Sequence, residues 1–155
     1  MMISAGLVLA ALHLCSTMAD DVPRCENTEM KNMPCDPKTR ALLIKHITAK
    51  MSGNSLTYDC RMEDGMYSSI ASLGVKKYSV TEDFPGIVPI AQMAHFEMEP
   101  TTLEDSEEKE GLIKDVVKKW SPKLAETKTA TKFGCNHLIE KVGPNFRHKI
   151  GCMFM

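Results

Sequence analysis

The stretch from Leu112 to Cys135, LIKDVVKKWSPKLAETKTATKFGC, decides the fold class, because its pattern changes from helical to extended along its length. From about Asp105 to Trp120, apolar residues fall on one helical face and charged residues lie opposite them. Pro122 has no backbone N–H, so the sequence predicts that this helix ends near Ser121. The last part, Thr129 to Cys135, is rich in Thr and Phe and is typical of a strand. The apolar helical face consists of Leu112, Ile113, Val116, Val117 and Trp120.

Two earlier amphipathic segments predict two more helices. Asp36 can cap a helix that has Pro37 at its first position and continues to Met51. Asp59 can cap a second helix, which carries a methionine-rich stripe and ends at Gly74. We expect both stripes to face the core, because Met fills irregular gaps in protein interiors. The stripes consist of Leu43, Ile44, Ile47 and Met51, and of Met62, Met66, Ile70 and Leu73.

The rest of the chain predicts extended and irregular structure. Val75 to Pro100 has no helical period and is interrupted by prolines, so only short strands fit it. Lys149 to Met155 is predicted to be a second final strand. Asn136 to His148, which contains Gly143-Pro144-Asn145, is predicted to be the connection between the final strands. Helices followed by paired strands indicate an α+β or three-layer α/β/α domain.

The N-terminal segment, residues 1–19, is interpreted as a secretory signal peptide. It contains an apolar run of about ten residues, followed by the small-x-small sequence Thr17-Met18-Ala19. The run is too short for a membrane-spanning helix, which needs about 20 residues. We therefore expect a secreted, extracellular chain with an N-terminal arm at 20–35 and one domain at 36–155.

The net charge of −1 argues against one class of protein, and the cysteine count predicts disulfides. A nearly neutral chain without a basic segment is not typical of a nucleic-acid-binding protein. Of six cysteines, Cys15 leaves with the signal peptide, and the odd number that remains predicts two disulfides and one spare thiol. That thiol is either buried and inert or cross-linked to a partner. The cysteine spacings fit no zinc site, so a structural role is favoured. The remaining cysteines are Cys25, Cys35, Cys60, Cys135 and Cys152.

Four pieces of the sequence resemble the CAP superfamily, which includes cysteine-rich secretory proteins, insect venom antigen-5 proteins and plant pathogenesis-related proteins. The pieces are Arg40–His46, Leu56–Glu63, Val117–Leu124, and Thr131–Cys135 together with Gly151-Cys152. The chain is most similar to venom-allergen-like proteins of parasitic nematodes, in the group related to activation-associated secreted proteins. The resemblance implies a trimmed, disulfide-stabilised, CAP-like three-layer α/β/α sandwich. It also implies that Cys135 pairs with Cys152, and the other three cysteines then share one further bridge.

The cation site common in CAP domains is incomplete in this sequence. That site uses two His and two Glu, and only its first His carries over, to His46, where Ile47 replaces the usual Asn. The interval Ala125–Ala130, where the second His normally lies, has none, and the Gly-Glu-Asn motif is absent. We therefore assign no metal and no cofactor, and His46 is kept only as a candidate ligand for which a structural role is favoured.

No sequence pattern points to catalysis. The Gly-x-Ser-x-Gly, HExxH and P-loop motifs are absent. His95, in His95-Phe96-Glu97, would need partners for a metal or general-base role, and the sequence does not identify them. His137 and His148 flank the final predicted loop and are expected to be exposed. We predict that the protein is not an enzyme.

The sequence thus predicts a secreted, non-enzymatic binding protein, an effector or immunomodulator that acts on an extracellular host protein. Its specificity is expected to lie on the predicted loops 75–100 and 136–148. Two alternatives stay open: a lipid or sterol carrier, and a metal-dependent hydrolase that uses His46, His95 and nearby carboxylates. We do not expect the protein to bind nucleic acid or to span a membrane.

Overall fold

The computed structural model describes residues 22–25, 33–51, 55–71, 92–97 and 109–155, with the backbone alone at 92–97. The predicted signal peptide, residues 1–19, and most of the predicted loop at 75–100 lie outside these ranges, as do Leu73 and Gly74. Within the described ranges, no helix is long and apolar enough to cross a membrane.

The described residues form four helices and four strands, and the predicted α+β class is confirmed. The four helices are α1 (Pro37–Lys50), α2 (Cys60–Ala71), α3 (Lys109–Lys119) and α4 (Ser121–Glu126). The four strands are β1 (Thr57–Tyr58), β2 (Gln92–Glu97), β3 (Lys132–Val142) and β4 (Asn145–Phe154).

Asp36 begins helix α1 as the sequence predicts. Its Oδ2 atom accepts hydrogen bonds from the Thr39 backbone N–H and hydroxyl, both at 2.9 Å. Burial alone would raise the pKa of this carboxyl, but these bonds and the Lys109 ammonium at 3.5 Å outweigh it and lower the pKa from 3.8. A carboxylate is therefore held at the positive end of the helix. The buried apolar side chains of α1, Leu43 and Ile47, belong to the predicted stripe.

Asp59 begins helix α2 in the same way. Its Oδ1 atom accepts from the backbone N–H groups of Arg61 at 2.8 Å and Met62 at 3.4 Å. The described part of the predicted methionine-rich stripe is buried, which confirms that it faces the core. These buried residues are Met62, Met66 and Ile70.

Helix α3 ends at Lys119, but the chain then forms α4, which the sequence analysis did not predict. Pro122 lies in the first turn of α4. Backbone N–H groups in that turn have no acceptor within the helix, so the missing N–H of Pro122 costs no hydrogen bond. Leu124 is 3 % exposed and packs into the same core as α3. Pro122 therefore separates two helices instead of simply ending one.

The strands form one sheet in the order β1-β3-β4-β2. Strand β1 pairs with β3 in parallel, with Thr57 opposite Lys132 and Tyr58 opposite Phe133. Strand β4 is antiparallel to both β3 and β2. The central hairpin of β3 and β4 therefore organises the sheet.

The predicted connection at 136–148 is wrong, because most of it continues the two final strands. Strand β3 runs to Val142 and β4 starts at Asn145, so only Gly143 and Pro144 form the turn. Gly143 has φ of +62°, a value typical of the first residue in a two-residue hairpin turn. His148, a polar residue of the predicted connection, and Lys149, at the start of the predicted strand, are buried here against partners on the neighbouring strand.

Apolar clusters lie on both faces of the sheet. Because successive residues of a strand point to opposite faces, Cys152 belongs to one cluster and Met153 to the other. Helices α1, α3 and α4 contribute to the cluster of Cys152, and α2 contributes to that of Met153. The larger cluster contains Leu43, Ile47, Ile113, Val116, Val117, Trp120, Leu124, Phe133, Cys135, Ile150, Cys152 and Phe154, and the smaller contains Met62, Met66, Ile70 and Met153.

Candidate functional site

An ion pair between Arg40 of α1 and Glu63 of α2 is buried at the junction of several elements. Arg40 Nε lies 2.6 Å from Glu63 Oε2, and Arg40 Nη2 lies 2.9 Å from Glu63 Oε1. The two side chains are 1 % and 0 % exposed. This two-bond geometry directs the guanidinium and leaves neither charge alone in the interior.

Further donors of Arg40 hold the described residues before α1 (22–25 and 33–36), called the arm below, against this pair. Arg40 Nη1 donates to the backbone oxygen of Pro23 at 3.0 Å, and Nη2 donates to that of Cys35 at 2.9 Å. The backbone N–H of Cys35 donates to Glu63 Oε1 at 2.9 Å. The ion pair therefore fixes two points of the arm to α1 and α2.

Tyr58 of β1 extends the network to the sheet. Its hydroxyl oxygen lies 2.6 Å from Glu63 Oε2 and 2.9 Å from the backbone oxygen of Cys135, and it accepts from the N–H of Cys135 at 3.2 Å. Burial, followed by the negative charge of Glu63, raises the pKa of Tyr58 well above 10. The phenol therefore stays protonated and acts as a neutral donor.

The sequence analysis did not identify this network. Arg40, Tyr58 and Glu63 lie in segments that were quoted for the CAP resemblance, which was the signal available. Their contacts join residues 5 and 23 positions apart, which no local pattern relates. The two charged groups of the network, Arg40 and Glu63, are bonded to each other, so the network stabilises the fold.

Four of the five cysteines that the structure describes form two disulfides, Cys25–Cys60 and Cys135–Cys152. Cys35 is a free, buried thiol. Burial, and next the negative charge of Glu63, raises its pKa from 9.0 to about 12. Because the thiolate is the reactive form, this cysteine is inert in the folded protein. The structure therefore favours a spare thiol that is buried and inert over one that is cross-linked to a partner.

His46 of α1 has one carboxylate beside it. Its Nε2 atom lies 3.5 Å from Glu110 Oε1, which also accepts from Lys45 Nζ at 2.7 Å. This hydrogen bond and the charge of Lys45 lower the pKa of Glu110. Among the described residues, no three His, Cys, Asp or Glu side chains come together as a metal site. His95 lies in β2 opposite Gly151, and no general-base or ligand role is assigned to it.

His137 and His148 are not the exposed loop residues that the sequence analysis expected. His148 is 2 % exposed and His137 is partly buried, because both lie in strands of the hairpin. His137 Nε2 is 2.9 Å from His148 Nδ1, and the stacked rings have centroids 5.1 Å apart. The structure thus brings together two imidazoles that are separated by the turn in the sequence.

Comparison with known families assigns the chain. A family model described as Ancylostoma-associated secreted protein related matches residues 25–154. The chain belongs to this family. The match covers both disulfides and all four segments that resemble CAP proteins, and it confirms the predicted relation to the CAP and secreted-protein-related group. Searches of curated proteins and of solved structures gave no match.

Proposed function

We propose that the protein is a secreted, non-enzymatic binding protein that acts on an extracellular host protein as an effector or immunomodulator. The match to a family of secreted proteins over residues 25–154 carries this proposal. Two disulfides support it, since such bonds persist in oxidising, extracellular compartments. We further propose that residues 1–19 are removed, that 20–35 form an arm, and that 36–155 form a trimmed CAP-like sandwich.

The chemistry of the described groups favours binding over catalysis. Glu63 is buried and is hydrogen-bonded to the partly buried Tyr58, and Arg40 neutralises the carboxylate. The thiol of Cys35 is buried and protonated. A general base or a nucleophile needs access to a substrate, and none of these groups has it.

We place part of the binding surface on the tip of the β3–β4 hairpin. Lys141, Gly143 and Pro144 are exposed there, at the end of strands that the Cys135–Cys152 disulfide joins. A rigid scaffold that presents a short exposed turn is a common arrangement for recognition. This assignment replaces the predicted loop at 136–148 by a shorter segment.

The test is a binding screen of residues 20–155, expressed through an oxidising secretory pathway, against a panel of extracellular and cell-surface proteins. We expect a saturable interaction that is lost after reduction of the disulfides. Lys141→Glu at the hairpin tip should weaken it, and Lys114→Glu, at an exposed position of α3, should not.

Two outcomes would contradict the proposal. A lipid or sterol extracted in stoichiometric amount from the purified protein, with no protein hit, would establish the carrier alternative. Metal-dependent hydrolysis that is lost in His46→Gln or His95→Gln would establish the enzyme alternative.

A further inference from the structure

The hairpin places His137 and His148 side by side on one face of the sheet. His137 lies opposite Ile150 and His148 lies opposite Ile139, so the two histidines are diagonal neighbours. Diagonal residues on one face are within reach of long side chains. The imidazoles meet at 2.9 Å between His137 Nε2 and His148 Nδ1, with 21° between the ring planes.

We propose that these two nitrogen atoms form a chelate for a late first-row divalent metal ion, with Cu²⁺ as the ion bound most tightly. Metal–imidazole bonds are about 2.0–2.1 Å long. Two nitrogen atoms that lie 2.9 Å apart and bind one ion at that length subtend about 90° at the metal, once the rings have turned so that both lone pairs point at the ion instead of at each other. This is the angle between adjacent ligands in the square-planar and tetragonal sites of Cu²⁺ and Ni²⁺.

The protons of the pair can be rearranged without a change of charge. In the hydrogen bond, one of the two facing nitrogen atoms carries a proton and the other accepts it. Metal binding needs both lone pairs, so the proton moves to the other nitrogen of the same ring. Both imidazoles stay neutral, and two coordinate bonds replace one hydrogen bond.

The surroundings hold the backbone of the two strands in place before a metal binds. Asn136 donates from Nδ2 to the backbone oxygens of Met33 at 3.1 Å and Glu63 at 3.3 Å, and its Oδ1 atom accepts from the His137 N–H at 2.7 Å. The Cys135–Cys152 disulfide crosses the same two strands nearby. Ligands fixed on paired strands lose little conformational entropy on binding a metal.

Water or a small ligand would complete the coordination sphere from the side of His137, because His148 is 2 % exposed. Within the ranges that the structure describes, the pair gains no third His, Cys, Asp or Glu ligand. Two imidazoles and solvent favour Cu²⁺ over Zn²⁺, because Cu²⁺ has the higher affinity in the Irving–Williams order and Zn²⁺ prefers tetrahedral angles. This site shares no residue with the His46 position and does not depend on the proposed function.

A copper titration of residues 20–155 with intact disulfides tests the proposal. We expect one bound Cu²⁺ per chain by calorimetry, and electron paramagnetic resonance that shows two imidazole nitrogen ligands. His137→Gln and His148→Gln should each weaken binding by at least about tenfold. His46→Gln is the control and should leave it unchanged.

If the buried His148 cannot be replaced without unfolding, the electron paramagnetic resonance spectrum of the unmodified protein still tests the proposal. His137 is only partly buried, so His137→Gln provides the second variant, with its fold checked by circular dichroism. A spectrum without two imidazole nitrogens would overturn the proposal, as would unchanged copper affinity in a folded His137→Gln protein. Tighter binding of Zn²⁺ than Cu²⁺ would overturn the assigned metal preference.

Discussion

At the scale of single residues, the Arg40–Glu63 pair has the largest predicted effect on stability. Glu63→Gln keeps the shape of the side chain but removes the charge that compensates the buried guanidinium. Breaking a buried ion pair on one side costs about 3–5 kcal/mol, because the remaining charge stays desolvated. We expect urea unfolding to show a loss of that size in the free energy of unfolding.

The matched control is Glu126→Gln, which breaks the exposed Lys123–Glu126 pair on α4. Exposed pairs contribute about 0–1 kcal/mol, so this variant should unfold close to the parent protein. The double change of Arg40→Met with Glu63→Leu should recover part of the loss only, because the Cys35 N–H loses its buried acceptor. Equal losses in Glu63→Gln and Glu126→Gln would refute the importance of burial here.

Cys35 gives a second prediction at this scale, on its reactivity. In the folded protein without residues 1–19, iodoacetamide at about pH 8 should leave the intact mass unchanged, because the thiol is buried and protonated. In urea without reductant, one adduct should form, because the other four cysteines of this chain are in disulfides. Cys35→Ala should give no adduct in either condition. A fast adduct in the folded state, or a doubled mass, would contradict the buried assignment.

At the scale of secondary structure, Gly134 decides how closely α2 approaches the sheet. A Cβ atom at this position would lie within 3.0 Å of backbone atoms of Asp59, Met62 and Glu63. The end of a side chain can change rotamer to avoid a clash, but backbone atoms cannot. Gly134→Ala must therefore displace the start of α2. We expect a loss of about 1–3 kcal/mol, measured by thermal or urea unfolding.

Gly111 in α3 provides the opposite case. A Cβ atom there meets nothing within 4 Å, and the position is exposed. Gly111→Ala should therefore stabilise the protein by about 0.5–1 kcal/mol through helix propensity. If Gly134→Ala were as stable as the parent protein or more stable, the close packing of α2 on Gly134 would be refuted.

The helices were predictable from sequence because their determinants are local. Asp36 and Asp59 begin α1 and α2, and the apolar residues repeat at the spacing of a helix that packs on one side only. Periodicity of this kind identifies both the element and its buried face. The exception, α4, contains six residues, which is too short a segment for a period to be recognised.

The final strands were predicted only in part because both of their faces are buried. A strand covered on one face alternates between apolar and polar residues, but β4 is buried from His148 to Phe154. Its polar members are satisfied by residues that are distant in sequence: Lys149 by Glu140 at 2.8 Å, and His148 by His137. The same reason hid the histidine pair, which exists only once the register of the hairpin is known.

At the scale of the whole molecule, the two disulfides constrain different parts of the fold. Cys25–Cys60 joins positions 35 residues apart and ties the arm to α2, whereas Cys135–Cys152 spans 17 residues within the hairpin. Each bridge contributes about 2–4 kcal/mol, which is a large share of a typical total of about 5–15 kcal/mol. Loss of both should therefore unfold the chain or leave it close to unfolding.

We expect the two bridges to be reduced in sequence, with Cys25–Cys60 first. Cys60 is partly exposed at the start of α2, although its partner Cys25 is 0 % exposed, whereas both Cys135 and Cys152 are 0 % exposed between paired strands. Reductant must reach a sulfur atom, so access favours the arm bridge. Timed samples alkylated after mild reduction should first show adducts on Cys25 and Cys60, with the melting temperature lowered but a cooperative transition retained.

The double variant Cys25→Ala with Cys60→Ala should melt at that same lowered temperature, and mild reductant should not lower it further. If Cys135 and Cys152 were alkylated first, local opening of the hairpin, and not solvent access in the folded state, would control reduction.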